Sequence, residues 1–377
     1  MGLNLARISE ITAAKIHWGG FKEDLSISIS GLKNLDSATE DDLSFYFPSS
    51  KRAAADNLKQ AYASKAKALF VSEVLNDIEK IQLVVTHPMA AMVRLAEIMR
   101  FQPSFGDGIH PTAVIDQTAK IEAGVKIGPY CIIAKNCVIA KDCILHANIV
   151  LYENVELGEK CEIHAGVVIR ENVVLGQDCL IQAGAVIGGE GFGYIPDRTL
   201  GHRRIPHMGA VRLADRVDLG ANASVDRGTL GDTVIGESSK LDSLVQVGHN
   251  NQLGKRVLVC AMSGIGGSGS IGDDSVVGGH VGIADHVKIG SKVRLGGKTG
   301  VSSNVPEPGD YIGSFYAEPA KQYWRQLASI KSLPILIRDF REWKTKLINL
   351  EKVVLNHSNK KDHSDKKDHS NKKDSGE

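Results

Sequence analysis

The side chain in this sequence best suited to chemistry is His249, in the run Leu244-Val245-Gln246-Val247-Gly248-His249-Asn250-Asn251. Imidazole takes up and releases a proton near neutral pH, so a histidine on a groove is a general-base candidate. Gly248 beside it leaves room for another group to approach. His286 follows in Ile283-Ala284-Asp285-His286, with His280 between the two. Three histidines raise the question of a metal, but no further ligand-type residues cluster with them, so no metal site is expected. A second candidate is the glycine-rich run from Gly188 to Pro196, which carries Phe192 and Tyr194. Exposed aromatics on such a loop are expected to meet a ligand or a neighbouring subunit.

These residues need a scaffold, and the scaffold is legible as a period of six. An aliphatic residue recurs every sixth position from Ile115 through Ile187, resumes at Leu213, Leu219 and Val225, shifts near Gly231, and continues from Ile235 to Val301. No helix has this period; a hexapeptide repeat predicts a mainly β chain wound as a left-handed parallel β-helix, three hexads to a coil. Each coil buries its apolar side only by stacking on the next. Four residues after each aliphatic position comes a small one, and Cys131, Cys137, Cys143, Cys161 and Cys179 occupy that slot. They read as buried small hydrophobes rather than disulfides or metal ligands. Val247 and Ile283 are 36 residues apart, which is six hexads. Their histidines therefore belong to one wall, two coils or roughly 10 Å apart.

Residues 1–101 lack the rhythm and read as a small α/β domain: a helix from Leu5 to Ile16, a strand over 26–30, a helix over 58–68, strands at 68–71 and 82–85, and a helix opened by Pro88. The β-helix is expected over 110–312. Residues 318–355 read as helical with a break near Pro334. There Phe340, Trp343, Leu347, Leu350 and Val354 form a short apolar seam suited to packing on copies of itself or on the prism. Lys321, Arg325, Lys331, Arg338, Arg341, Lys344 and Lys346 make this region basic. Residues 356–377 are low-complexity and polar, repeating His357-Ser358-Asn359-Lys360-Lys361-Asp362, and are expected to be disordered.

The net charge of +1 gives no pull toward nucleic acid, and aromatics of only 5% suit a narrow solenoid interior. The N-terminus has no long apolar run, so the expectation is a cytoplasmic protein. A smooth prism has no deep cleft, so sites are expected in grooves between copies of the chain.

Several segments together resemble the UDP-3-O-acylglucosamine N-acyltransferases of lipid A synthesis. They are Ser30-Gly31-Leu32, Asp41-Asp42-Leu43-Ser44-Phe45, Gly191-Phe192-Gly193-Tyr194, Val225-Asp226-Arg227-Gly228-Thr229, Asp232 to Gly236, Lys240 to Gln246, and His249-Asn250. The resemblance covers roughly residues 5–350. It implies a homotrimer that moves a 3-hydroxyacyl chain from acyl carrier protein to the 2-amino group of a UDP-3-O-acylglucosamine, with no cofactor beyond that thioester co-substrate. It implies His249 as general base and His286 as a substrate- or phosphate-positioning group. It further implies Phe45 as the aromatic holding uracil, and the basic C-terminal helices as the carrier-protein dock. Gly248 and Gly267 are the nearby candidates for the oxyanion donor. The chain departs from the family after Phe45, where it reads Tyr46-Phe47-Pro48, so Tyr46 or Phe47 is expected to supply further uridine contacts. Gly296 to Ser302 is poor in bulky side chains, which implies a long acyl groove. The rival readings are a related O-acyltransferase, which lacks this N-terminal domain, an acetyl-CoA-dependent sugar N-acetyltransferase, and a non-catalytic scaffold or zinc carbonic anhydrase-like prism.

Overall fold

Three walls of short parallel strands are what the six-residue spacing becomes. The structure is a computed structural model, and it describes residues 2–48, 51–99, 105–313 and 317–368, without the side chains of 51–53 and 356–368. The chain divides into two compact units, Met1–Gly106 and Asp107–Glu377.

In the second unit nearly every strand is two residues long, and its second residue is the buried aliphatic one. The first wall runs from Val114–Ile115 to Gly300–Val301, the second from Lys120–Ile121 to Lys288–Ile289, and the third from Lys126–Ile127 to Gly309–Tyr311; they hold 10, 9 and 10 strands. Registers are 18 residues apart in regular coils, as in Ile133↔Leu151 and Leu151↔Ile169. Stacking one aliphatic side chain on its equivalent makes a single continuous core from Val125 to Val301. This is the left-handed β-helix expected from the repeat.

The corners between walls need a left-handed backbone. Asn136, Asp142, Asn148, Asn154, Asn172 and Asp178 have φ between 54° and 63°, and Asn and Asp bear that conformation at lower cost than other side chains. The five cysteines of the inward slot are buried and free, while Cys260 is exposed. Burial pushes the Cys131 and Cys137 thiols above their ordinary range. Later coils fill the same slot with serine or asparagine, whose polar atoms are satisfied inside. Ser263, for example, donates to the Gly278 carbonyl at 2.7 Å and accepts from the Val281 amide at 3.1 Å.

The helix Ala320–Asp368 is continuous and contains Pro334, so the expected break is absent. A proline costs a helix interior about 3 kcal/mol, which neighbouring turns of good helix formers can outweigh. The helix also carries on through 356–368, into the stretch expected to lack structure, because propagating a formed helix is far easier than starting one. The rest of that stretch, 369–377, lies outside the described residues. The seam side chains Phe340, Trp343, Leu347 and Leu350 are exposed.

In the first unit a five-stranded sheet is ordered Lys15–His17, Ile81–Val84, Ala68–Val71, Asp42–Phe45, Gly31–Leu32, parallel except for the first pair. Helices span Leu5–Thr12, Lys51–Ala63 and Pro88–Met99. The first helix stops short of the expected Ile16. Its cap, Ala13, turns left-handed with φ 53°, which frees Lys15–His17 to pair as a strand.

Candidate active site

The corner that joins the first wall to the second carries extra chain in two consecutive coils. Ile187 and its partner Val225 are 38 positions apart instead of 18, and Val225 and Val247 are 22 apart. The larger insertion leaves the wall after Val186–Gly189 and contains the hairpin Tyr194–Asp197 with Gly201–Arg204, then rejoins at Val211–Leu213. The smaller one is the loop Asp226 to Asp232. His249 occupies the same corner in the third coil, and Gly267 in the fourth.

Both insertions fold onto the imidazole. A Cβ on Gly191 would stand 2.9 Å from His249 Cδ2 and 2.9 Å from His207 Nε2, so only glycine fits between the rings. The His207 and His249 rings meet edge-on, with centroids 5.0 Å apart. His207, which sequence reasoning did not single out, is 5% exposed. It contacts the Ile205 carbonyl through Nδ1 at 2.9 Å, while its Nε2 has no hydrogen-bond partner. Its only sequence signal is its place at the end of the insertion, in Ile205-Pro206-His207.

The polar contacts of His249 fix its tautomer. Its Nδ1 is 3.0 Å from Asn250 Oδ1, and that oxygen also accepts the Thr229 amide at 2.9 Å. An oxygen of a side-chain amide can only accept. His249 Nδ1 therefore donates, and in the neutral ring Nε2 carries the lone pair. Thr229 Oγ1 lies a further 3.5 Å from Nδ1. A Cβ on Gly267 would be 2.5 Å from Nε2, so the ring leans along the prism axis over a coil kept bare at that point. Gly248 donates its amide to the Ile265 carbonyl at 2.8 Å, which commits it to the wall and removes it as an oxyanion donor.

Beneath the corner Asn251 is fully buried. Its Nδ2 donates to the carbonyls of Gly248 and Gly266, both at 2.7 Å, and its Oδ1 accepts from the Gly269 amide at 3.1 Å. One side chain thus ties the His249 coil to the next. Arg227 is the other tie. At 4% exposure it donates to the Gly188 carbonyl at 2.7 Å and to Glu171 Oε1 at 2.9 Å, pinning the root of the long insertion. Burial alone would raise the Glu171 carboxyl, but Arg170 and Arg227 outweigh it and bring the group down to about 2. Asp226 goes the other way. Burial holds its carboxyl above the ordinary carboxylate value, although Gln246 donates to Oδ2 at 2.9 Å and His249 and His207 pull it down.

The remaining expected residues fall as follows. Phe192 and Tyr194 are in contact, centroids 5.0 Å apart, and Phe192 is 87% exposed. His286 is exposed at a left-handed corner of φ 59°. It is two coils from the His249 coil, as expected, but in the column of Asn250 and Ser268; the residue in line with His249 and Gly267 is Asp285. His280 belongs to the corner between the third and first walls. On the outer face of the first wall Gln246 is followed in register by Gly264, Gly282 and Gly300, each with open space where a side chain would be.

In the first unit Phe45 is half-buried and lines a hollow of about 260 Å³ with Asn34, Leu35, Asp36, Phe47, Asn57 and Gln60. Phe47 takes the second aromatic place. Tyr46 instead turns its hydroxyl to the Ala54 carbonyl, at 3.4 Å.

The model of the GMPPB C-terminal domain family matches residues 109–190. Curated proteins named UDP-3-O-acylglucosamine N-acyltransferase from Bordetella parapertussis, Bordetella bronchiseptica and Bordetella pertussis are each 35% identical over 159 residues. Among solved structures, a UDP-N-acetylglucosamine acyltransferase from Arabidopsis is 25% identical, over 55% of this chain and 71% of that one, with a TM-score of 0.49. A UDP-N-acetylglucosamine O-acyltransferase from Moraxella catarrhalis is 24% identical, over 60% of this chain and 81% of that one, with a TM-score of 0.41. The matches to the Bordetella proteins take in 41% of this chain and 44% of their own length, and so span less than half of them. Over that span the chain has its curated homologues among the UDP-3-O-acylglucosamine N-acyltransferases.

Proposed function

We propose that this protein is an N-acyltransferase that moves a 3-hydroxyacyl group from acyl carrier protein to the 2-amino group of a UDP-3-O-acylglucosamine. The observation that carries the reading is the state of His249: Nδ1–H is spent on Asn250, and the Nε2 lone pair faces a corner kept bare by Gly267. In this reaction Nε2 takes the proton from the sugar amine as the nitrogen attacks the thioester carbonyl. The C–N bond forms, the C–S bond breaks, and the carrier thiol leaves with the proton that His249 returns. The negative oxygen of the intermediate needs a donor. With Gly248 committed to the wall, the Gly267 amide is the group we assign to it.

Other parts of the chain supply the rest of the reading. The bare strip at Gly264, Gly282 and Gly300 gives the acyl chain a flat lane that runs roughly 10 Å, two strand spacings, along the wall. The Phe45–Phe47 hollow, with side-chain amides from Asn34, Asn57 and Gln60, suits a uracil ring stacked and hydrogen-bonded at its edge. His286 and the Phe192–Tyr194 pair are assigned to substrate positioning. The exposed apolar seam of Ala320–Asp368 is assigned to association of three copies, and its exposed lysines and arginines to the acidic carrier protein. No helix among the described residues is long and apolar enough to cross a membrane.

The test is mass spectrometry of the product formed from UDP-3-O-acylglucosamine with a set of 3-hydroxyacyl carrier proteins, and in parallel with acetyl-CoA. Amide formation from the carrier-protein donors alone supports the reading. Transfer only from acetyl-CoA would make the protein a sugar N-acetyltransferase on the same fold, and no transfer from any donor would remove the assignment.

A further inference from the structure

The third wall carries a group of side chains that the acyl-transfer reading does not use. His146 follows the strand Ile144–Leu145, and one coil later the strand Glu162–Ile163 is followed by His164. The 18-residue register Ile144↔Glu162 and Leu145↔Ile163 stacks the two histidines directly and sets Glu162 beside them. Their rings are nearly parallel, 7° apart, with centroids separated by 4.5 Å. Both Nε2 atoms lie near one carboxylate oxygen: His146 Nε2 is hydrogen-bonded to Glu162 Oε1 at 3.1 Å, and His164 Nε2 is 3.4 Å from the same oxygen. All three side chains are half-buried, and their ligand atoms lie within 4.8 Å of one another.

We propose that His146, Glu162 and His164 form a site for a divalent transition metal of the zinc type. Bonds of about 2.0–2.1 Å around tetrahedral zinc place neighbouring ligand atoms roughly 3.3–3.4 Å apart. The two nitrogen–oxygen separations bracket that edge length, and a tilt of the two stacked rings toward each other brings both Nε2 lone pairs onto one ion. Two imidazoles and one carboxylate are a borderline donor set that selects zinc, cobalt or nickel over magnesium or calcium. Three protein ligands leave a fourth position for water or an outside group. Coordination needs neutral imidazoles and an ionised carboxylate, so binding weakens as the medium becomes acidic. The wall supplies rigidity: each ligand stands on or next to a two-residue strand locked on both sides by the ladder, and a column of this kind holds its side chains at fixed height. The site is on a different wall from His249, and the proposal stands or falls independently of the acyl-transfer reading.

The experiment is metal analysis and calorimetric titration of the chelator-stripped full chain with zinc sulfate, alongside His164→Ala and Glu162→Gln. The repeat histidines at 357, 363 and 369 are a second set of potential zinc ligands, so each protein is also made with these three changed to alanine. The expected result is one tightly held zinc per chain in the parent, a zinc-dependent rise in Tm, and visible cobalt bands of a tetrahedral site. All three are expected to be lost in both variants and kept when the tail histidines are removed. Glu162→Gln preserves shape and so guards against a folding defect in His164→Ala. Equal zinc stoichiometry and affinity in parent and Glu162→Gln, or zinc binding that vanishes with the tail histidines, overturns the proposal.

Discussion

His249 Nδ1 and Asn250 Oδ1 lie 3.0 Å apart, and the Thr229 amide donating to the same oxygen decides which of them gives the proton. His249→Ala is expected to lower acyl transfer about 10²–10⁴-fold, the usual range for a general base. Asn250→Ala is expected to lower kcat with less change in KM, because it releases the tautomer without removing the ring. Steady-state kinetics of the two variants, with circular dichroism to show the solenoid intact, checks both. Full turnover by His249→Ala ends the role assigned to it.

Gly267 is the position where one methyl group does the most harm to the site. An added Cβ would approach His249 Nε2 to 2.5 Å, closer than atoms tolerate. Gly267→Ala is expected to abolish most transfer while moving Tm little. By contrast Gly282→Leu puts a side chain into open space on the outer wall and is expected to shorten the longest acyl chain accepted, leaving shorter donors active. Measuring rate against donor length distinguishes a blocked lane from a general loss.

Arg227 and Glu171 join the long insertion to the prism. Glu171 falls from its ordinary 4.5 to about 2, so its contribution is present above 4.5 and is lost as pH falls through about 2. The shift corresponds to about 3 kcal/mol at neutral pH. Arg227→Met leaves Glu171 bonded to Arg170 at 2.8 and 3.0 Å, so it is expected to cost only part of that, about 1–3 kcal/mol for the lost charged hydrogen bonds, to shift acid unfolding slightly to higher pH, and to impair transfer because Gly188 is no longer held. Urea unfolding between acid and neutral pH reads all but the last.

Asp226 has the opposite sign. Its folded value lies above the ordinary 3.8, chiefly through burial. Whatever it adds to stability is therefore fully present below 3.8 and declines as pH rises through the folded value. Asp226→Asn keeps an acceptor for Gln246 and removes that decline. The Tm of the variant relative to the parent is expected to grow from acid to neutral pH, and a difference that does not vary with pH would refute the assignment.

His207→Phe keeps the bulk between the two loops but removes the ring nitrogens. If His207 only fills space, transfer and its pH profile stay unchanged. The expected result is a lower kcat with an altered pH profile, since its ring edge rests on His249 at 5.0 Å between centroids.

The amino-acid order by itself determined the column. An aliphatic residue every sixth position leaves no other way to bury that side, so coil pitch, inward cysteines and the wall that bears His249 were all readable locally. The segments around Asp226, Gly191 and His249 were recognisable as a set, yet nothing in their spacing said that they share one corner. Folding decided that. Two insertions of unequal length leave successive coils at the same edge, so residues 191, 207, 229 and 249 converge although up to 58 positions separate them. The same stacking makes a bare strip of Gly264, Gly282 and Gly300 and a metal-type group of His146, Glu162 and His164. Each arises because the ladder aligns residues 18 apart, a relation that becomes a contact only once neighbouring coils share their hydrogen bonds.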